Sequence, residues 1–207
     1  ACPEAMFAKK VIVCEGKTEL GICRAMDEDR IKNEYDSFSE LGVVCVLGEG
    51  NNFSSRAMKL HNLGIDVCVF CDSDVDGTLN PSKQELTDKG IKIFDCESGN
   101  SIEQQFTKDM PWSEISKIVN YSIHEFGLHS ITQSIENNVS GKLSKNWIEE
   151  DTQELRNAIG KAAKTKDWFK RIDHGEFLGN LYFKNEETLV ETQLYSQLTD
   201  IHNWIEE

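Results

Sequence analysis

Short apolar runs alternate with amphipathic segments over the first half of the chain. The runs are rich in Val, Ile and Cys, which is typical of buried strands, and the segments between them have apolar residues at helical spacing. Continuous apolar strands that alternate with helices indicate βαβ units and a parallel sheet covered on both faces. The predicted strands are 11–14, 41–47, 65–71 and 91–94, and the predicted helices between them are 17–35, 53–63 and 81–89.

The pattern changes near residue 101, after which no further strand is predicted. We interpret 1–100 as a four-stranded α/β core and 101–207 as a helical extension that completes the domain. Helices are predicted at 101–108, 113–126, 130–138, 151–163 and 186–206, with interruptions at Pro111, Gly127, Gly141, Gly175 and Gly179.

Composition excludes several classes of protein. The 207 residues, 39% apolar and 28% charged, suit one globular domain with a helical appendage, and no apolar run approaches the ~20 residues of a membrane span. Seven cysteines without Cys/His metal spacing, several of them inside apolar strand runs, predict reduced, buried thiols of a cytoplasmic protein. A net charge of −14 argues against nonspecific coating of nucleic acid. It permits a local basic patch or a site that works through metal ions.

An acidic pair follows the first predicted strand. Gly16 permits a tight turn after Glu15, and Glu19 lies four residues further on, so the two carboxylates can share one face at a helix start. Two carboxylates directed at one point repel each other unless a cation lies between them, which predicts a Mg²⁺-type site. The alternative is an acidic first helical turn that suits the helix dipole.

A second acidic pair, Asp72 and Asp74, follows the third predicted strand. Residues two apart in extended backbone point the same way, so both can reach one ion, although Asp and Ser also favour turns. Acidic pairs after two strands of one parallel sheet favour a shared metal site, since ligands gather at the carboxyl ends of such strands.

The segment 74–79, DVDGTL, offers a competing interpretation. It resembles the signature of haloacid-dehalogenase-like phosphatases, in which the first Asp is a phosphoryl-accepting nucleophile. That nucleophile should directly follow the strand, and Asp72 occupies that place instead of Asp74. Two βα units also precede the segment, and no later Asp pair follows a strand. The metal-site interpretation is therefore preferred.

The motifs resemble a known family. EGxTE at 15–19 and DSD at 72–74 look like the Toprim fold, the catalytic domain of topoisomerases, bacterial primases and the OLD (overcoming lysogenization defect) ATP-dependent nucleases. SIEQQ at 101–105 and KDWFK at 166–170 favour the OLD branch. The resemblance covers roughly 9–175.

The resemblance implies a role for individual residues. Glu15, which is also catalytic, would hold two divalent ions, Mg²⁺ or Mn²⁺, together with Glu19, Asp72 and Asp74. Glu103 resembles a further acidic ligand. Lys170 resembles the lysine that stabilises the transition state.

The basic residues around Lys170 have two interpretations. Lys164, Lys166 and Arg171, with Lys170, would contact the DNA backbone if the chain is a nuclease. The alternative is a solvated helix face.

The resemblance also implies partners and an activity. OLD proteins carry an N-terminal ATPase half, and this chain has no Walker A sequence. The chain is therefore expected to be either a C-terminal nuclease domain or a free-standing relative, and the first is preferred. We expect it to form a dimer through the ATPase half and to cleave DNA by a two-metal mechanism in phage defence. A catalytically inactive Toprim binding module is the other possibility. The complete acidic set argues against it.

Overall fold

The computed structural model describes residues 3–73, 79–97 and 99–207. Its sheet consists of β1 (Lys10–Cys14), β2 (Val43–Leu47), β3 (Asp66–Cys71) and β4 (Lys92–Asp95). The strands are all parallel in the order β2-β1-β3-β4, so β2 and β4 are edge strands. The predicted four-stranded parallel sheet with a helical extension is confirmed.

Helices surround this sheet and account for the second half of the chain. Short 3₁₀ helices occur at Pro3–Phe7, Gly50–Asn52, Trp147–Glu149 and Glu186–Thr188. The described residues contain no helix with the length and apolar character needed to cross a membrane. The α-helices are α1 (Lys17–Lys32), α2 (Phe38–Leu41), α3 (Phe53–His61), α4 (Lys83–Asp88), α5 (Ile102–Asp109), α6 (Trp112–Phe126), α7 (Leu128–Glu136), α8 (Gln153–Thr165), α9 (Ile172–Phe183) and α10 (Gln193–Glu206).

Alternation along β1 divides the core into two layers. Val11 and Val13 face one layer, closed by α3 and α4, because successive strand residues point to opposite faces. Ile12 and Cys14 face the other and larger layer, which contains α1 and the helices after residue 101. This second layer joins the sheet to the helical extension, while the division of the chain at residue 100 stays a prediction.

The predicted interruptions at Gly175 and Gly179 are wrong, because both glycines lie inside α9. This helix packs directly on α1, where Gly21 faces it. A Cβ atom on Gly21 would lie 2.1 Å from the carbonyl oxygen of Ile172, and one on Gly175 would lie 2.2 Å from that of Thr18. Glycine here allows two helices to approach closely and does not end one.

Replacing Gly175 with Ala should therefore destabilise the fold. The added methyl would meet the α1 backbone, and overpacking of this kind costs roughly 1–3 kcal/mol or more. The free energy of unfolding from urea titration measures the loss. Gly141→Ala is the matched control, because its Cβ would meet no described heavy atom within 4 Å. Equal stability of the two variants would contradict the close packing of α1 on α9.

Candidate active site

The ends of two neighbouring strands bring the first acidic residues together. Cys14 and Phe70 are paired in the register of β1 and β3, so Glu15 and Asp72 both emerge at the carboxyl edge of the sheet. The backbone N–H of Asp72 donates a hydrogen bond of 3.0 Å to Glu15 Oε2. The backbone after β3, which carries Asp72, thus orients the carboxylate of Glu15.

The turn between β1 and α1 directs Glu19 towards the same edge. Gly16 caps the helix with extended backbone, and its N–H donates to Glu19 Oε2 at 2.8 Å. Glu19 is buried although it lies in the first turn of a helix. The hydrogen bond from Gly16 agrees with the interpretation of Glu19 as an acidic residue of a first helical turn. That interpretation does not explain why the Glu19 side chain is buried.

The start of α5 completes the acidic group. Ser101 caps this helix, with its N–H donating to Gln104 Oε1 at 3.1 Å. The next amide, of Ile102, donates to Asp72 Oδ1 at 2.7 Å. Glu103 then follows inside the protein with an exposed fraction of 1%. Neither of its carboxylate oxygens has a hydrogen-bond partner among the described residues.

The segment between α8 and α9 brings Lys170 to this group. Trp168 and Phe169 are buried and anchor the segment, and Thr18 Oγ1 of α1 donates to the carbonyl oxygen of Phe169 at 2.6 Å. Lys170 Nζ lies 3.5 Å from Glu103 Oε1, with its side chain 48% exposed. A half-exposed cation therefore lies beside a buried carboxylate.

The four described carboxylates interact electrostatically. Burial raises the pKa of Asp72 to about 8, and repulsion from Glu19, Glu103 and Glu15 adds to the effect. Burial also raises the pKa of Glu19 to about 7, again with repulsion from Glu103 and Glu15, and it raises the pKa of Glu15. Desolvation opposes the charge on Lys170, yet Glu103, Glu19 and Asp72 raise its pKa. The group carries more negative charge than one lysine compensates.

The donor chemistry of this group fits a hard divalent cation. Carboxylate oxygens are the ligands that Mg²⁺ and Mn²⁺ prefer, and a cation would satisfy the unpartnered oxygens of Glu103. Within 3–73, 79–97 and 99–207, no three or more His, Cys, Asp or Glu side chains are arranged to hold a metal ion. Glu15, Glu19 and Asp72 each accept a hydrogen bond from a different backbone N–H, so their carboxylates are oriented separately.

Asp74 and the DVDGTL segment up to residue 78 lie outside the described residues.

The basic residues near Lys170 differ in their surroundings. Lys166 ends α8 and is exposed, whereas Lys164 is half-buried. Arg171 donates to Asp173 Oδ2 at 2.5 Å and to Glu125 Oε2 at 3.4 Å, so two carboxylates already engage its guanidinium. Contact of these residues with DNA stays a prediction.

Two supporting residues were missed by the sequence analysis. Lys83 Nζ donates to the carbonyl oxygen of Asp72 at 2.9 Å and to Asp95 Oδ2 at 3.0 Å. Ser73 Oγ donates to the carbonyl oxygen of Glu97 at 2.5 Å, which fixes the loop after β3. The position of Ser73 between two acids was a visible signal, but nothing in the local pattern distinguished Lys83.

The metal-free protein should lose stability as the pH rises through neutrality. A raised pKa in the folded state means that folding favours the protonated form, so this stabilisation is complete below the unfolded pKa of about 4. It is lost as the pH passes the folded values of about 7 for Glu19 and about 8 for Asp72. With EDTA, we expect the melting temperature to fall between about pH 4 and pH 8 and then to level off, and Mg²⁺ to reduce the fall. An equal fall in the Asp72→Asn variant would contradict this origin.

The all-parallel sheet and the acidic groups at its carboxyl edge define an α/β domain of the Toprim class. Residues 6–74 match the family described as overcoming lysogenization defect protein-like, TOPRIM domain. This segment is therefore similar to an OLD-like Toprim domain.

Two solved structures are similar to this chain, and the first of them shows the same fold. The C-terminal region of the Xanthomonas campestris pv. campestris OLD protein is 17% identical with a TM-score of 0.53, over 98% of this chain and 96% of that one. The C-terminal region of the Burkholderia pseudomallei OLD protein is 16% identical with a TM-score of 0.39, over 86% and 98%. No curated protein matches the chain significantly.

Proposed function

We propose that this chain is a metal-dependent DNA endonuclease domain, the C-terminal Toprim nuclease of an OLD-type ATPase-nuclease. The observation that carries the proposal is Glu103, a fully buried carboxylate whose oxygens have no hydrogen-bond partner among the described residues. Its ion pair with the half-exposed Lys170, at 3.5 Å, compensates the buried charge only in part, and an incompletely compensated buried charge is costly. A bound cation would compensate the buried charge of Glu103, and metal binding would explain why this carboxylate is buried.

The proposed ligands are carboxylates at one sheet edge. Two divalent ions, Mg²⁺ or Mn²⁺, would lower the pKa of an attacking water and stabilise charge on the phosphate and the leaving oxygen. The residues that would hold them are Glu15, Glu19, Asp72, Asp74 and Glu103.

Backbone amides and the raised pKa values of the carboxyl groups both affect how this site would bind a cation. Backbone amides orient Glu15, Glu19 and Asp72, so the side chains lose little freedom when a cation binds. Since the pKa values of these carboxyls are raised, cation binding near neutral pH is coupled to proton release. Metal affinity should therefore increase with pH over this range.

Lys170 supplies the positive charge that a phosphate substrate needs. Its ammonium group is half-exposed beside Glu103, so a phosphate at the site can reach it from solvent. A cation placed where negative charge develops is worth more in a poorly hydrated site than in water. Lys170 is accordingly proposed to stabilise the transition state.

DNA is the proposed substrate, with weak binding by the isolated domain. Lys164 and Lys166 precede Lys170 in the chain and are proposed to contact backbone phosphates. The guanidinium of Arg171 engages two carboxylates and would have to leave them to do the same. Phosphate contacts release counterions, so affinity should fall steeply with added salt. A preceding ATPase domain and a dimer formed through it are proposed to position the DNA.

Nicking of supercoiled plasmid tests this function. We expect nicked circles with Mg²⁺ or Mn²⁺, none with EDTA, and no turnover of p-nitrophenyl phosphate. Absence of cleavage with every metal, alongside retained DNA binding, would support an inactive binding module. Hydrolysis of p-nitrophenyl phosphate with a phosphoryl adduct on Asp74 would support the phosphatase.

A further inference from the structure

Three cysteines meet between the sheet and α1, on the layer that also contains the candidate site. Cys14 at the end of β1 and Cys23 of α1 have their sulfur atoms 3.8 Å apart. Both thiols also hydrogen-bond to Cys45 in the middle of β2. The cluster therefore links the edge strand, the central strand and the helix that carries Glu19.

A surface cavity of about 590 Å³ opens onto this cluster. Cys23 and Cys45 both line it, together with Arg24, Asp27 and Phe38. Cys45 lies on an edge strand and is partly exposed, whereas Cys14 and Cys23 are fully buried. Among these three cysteines, Cys45 is therefore the one with solvent-exposed surface at the cavity.

The surroundings make Cys45 the most acidic thiol of the three. Hydrogen bonds donated by Cys14 and Cys23 lower the pKa of Cys45 and Arg24 lowers it further, against opposition from burial and Asp27. The pKa of Cys23 is instead raised by its thiol neighbours and by burial. Because the thiolate is the nucleophilic form, reactivity should concentrate on Cys45.

We propose that Cys45 is a peroxide-reactive thiol and that Cys23 is its resolving partner. The Cys45 thiolate attacks hydrogen peroxide, an S–O bond forms, the O–O bond breaks, and hydroxide leaves with Cys45 as sulfenic acid. The Cys23 sulfur then attacks the Cys45 sulfur, water leaves, and a disulfide forms. Two electrons pass from the two thiols to one peroxide.

The cross-link would act on the candidate site through α1. Cys23 lies four residues after Glu19 and so on the same helical face. A disulfide holds its two sulfurs about 2 Å apart, so this bond would link α1 covalently to β2. We expect slower DNA nicking after oxidation, a consequence that rests on the proposed nuclease function. The thiol chemistry itself can be tested without any activity.

Mass spectrometry of the native protein tests the proposal. The wild-type protein is treated with near-stoichiometric hydrogen peroxide, blocked with N-ethylmaleimide and digested, and we expect a Cys23–Cys45 disulfide. In Cys23→Ala, dimedone should trap the sulfenic acid on Cys45. Iodoacetamide should alkylate Cys45 on the order of 100-fold faster than Cys71, which is buried on the opposite sheet face.

Two results would overturn the assignment. Alkylation of Cys45 no faster than that of Cys71 would remove it as the reactive thiol. A Cys14–Cys45 disulfide would remove Cys23 as the resolving partner. Both measurements use the wild-type protein, so they do not depend on the folding of a variant. Cys71→Ala should leave the Cys23–Cys45 disulfide unchanged.

Discussion

Replacing Asp72 with Asn is expected to lower the rate of plasmid nicking at least about 10³-fold, since Asp72 is a proposed metal ligand and the loss of such a ligand removes several kcal/mol of charge stabilisation. The substitution is close to isosteric. The Asn oxygen can still accept the 2.7 Å hydrogen bond from the Ile102 amide, so the loop and the start of α5 should keep their positions. The substitution removes the negative charge of residue 72, on which the proposed binding of a divalent cation depends.

The melting temperature separates this effect from a folding defect. Glu15, Glu19 and Glu103 repel the Asp72 carboxylate, so its neutralisation should maintain or raise the stability of the metal-free protein. Asp66→Asn is the matched control, since Asp66 lies at the other end of β3 and is exposed. We expect the control to nick at the wild-type rate. A folded Asp72→Asn variant that nicks equally well would remove Asp72 from the site.

The sheet could be predicted from the sequence because its strands are continuous apolar runs. The runs of the two central strands are covered on both faces, so nearly every residue in them is apolar and the pattern is visible locally. The α9 helix could not be predicted in this way. Its glycines disfavour a helix by intrinsic propensity, and they are accommodated only because α1 lies against them. That contact joins segments about 150 residues apart, as the Thr18–Phe169 hydrogen bond illustrates with a separation of 151.

The residues of the candidate site also fall into two groups, those that a local pattern predicts and those that tertiary contacts bring together. Glu15 and Asp72 follow predicted strands, so the parallel sheet alone places them at one edge. Glu103 and Lys170 were assigned only through the family resemblance, because no local pattern indicates that either approaches that edge. Their proximity depends on the cap of α5 and on the buried Trp168 beside α8. These are tertiary contacts between segments that are distant in the chain.

Replacing Lys170 with Ala should lower turnover by roughly 10²–10³, by analogy with the loss of one charge-stabilising donor. The affinity for DNA should change far less, because the ammonium is proposed to act mainly on charge that develops in the transition state. Single-turnover nicking and filter binding measure the two effects separately. Lys170→Arg, which keeps the charge, should recover part of the rate. Lys166→Ala is the control, since its exposed side chain should affect binding modestly and turnover little.

The ion pair with Glu103 gives this prediction a strict test. Lys170 Nζ lies 3.5 Å from a buried carboxylate, so a purely structural role is a real alternative. That role predicts a lower melting temperature in EDTA and normal turnover once divalent ions replace the lysine as the partner of Glu103. The catalytic role predicts slow turnover even with saturating metal and a fully folded protein. Normal turnover by Lys170→Ala under those conditions would leave the lysine as a structural counter-ion only.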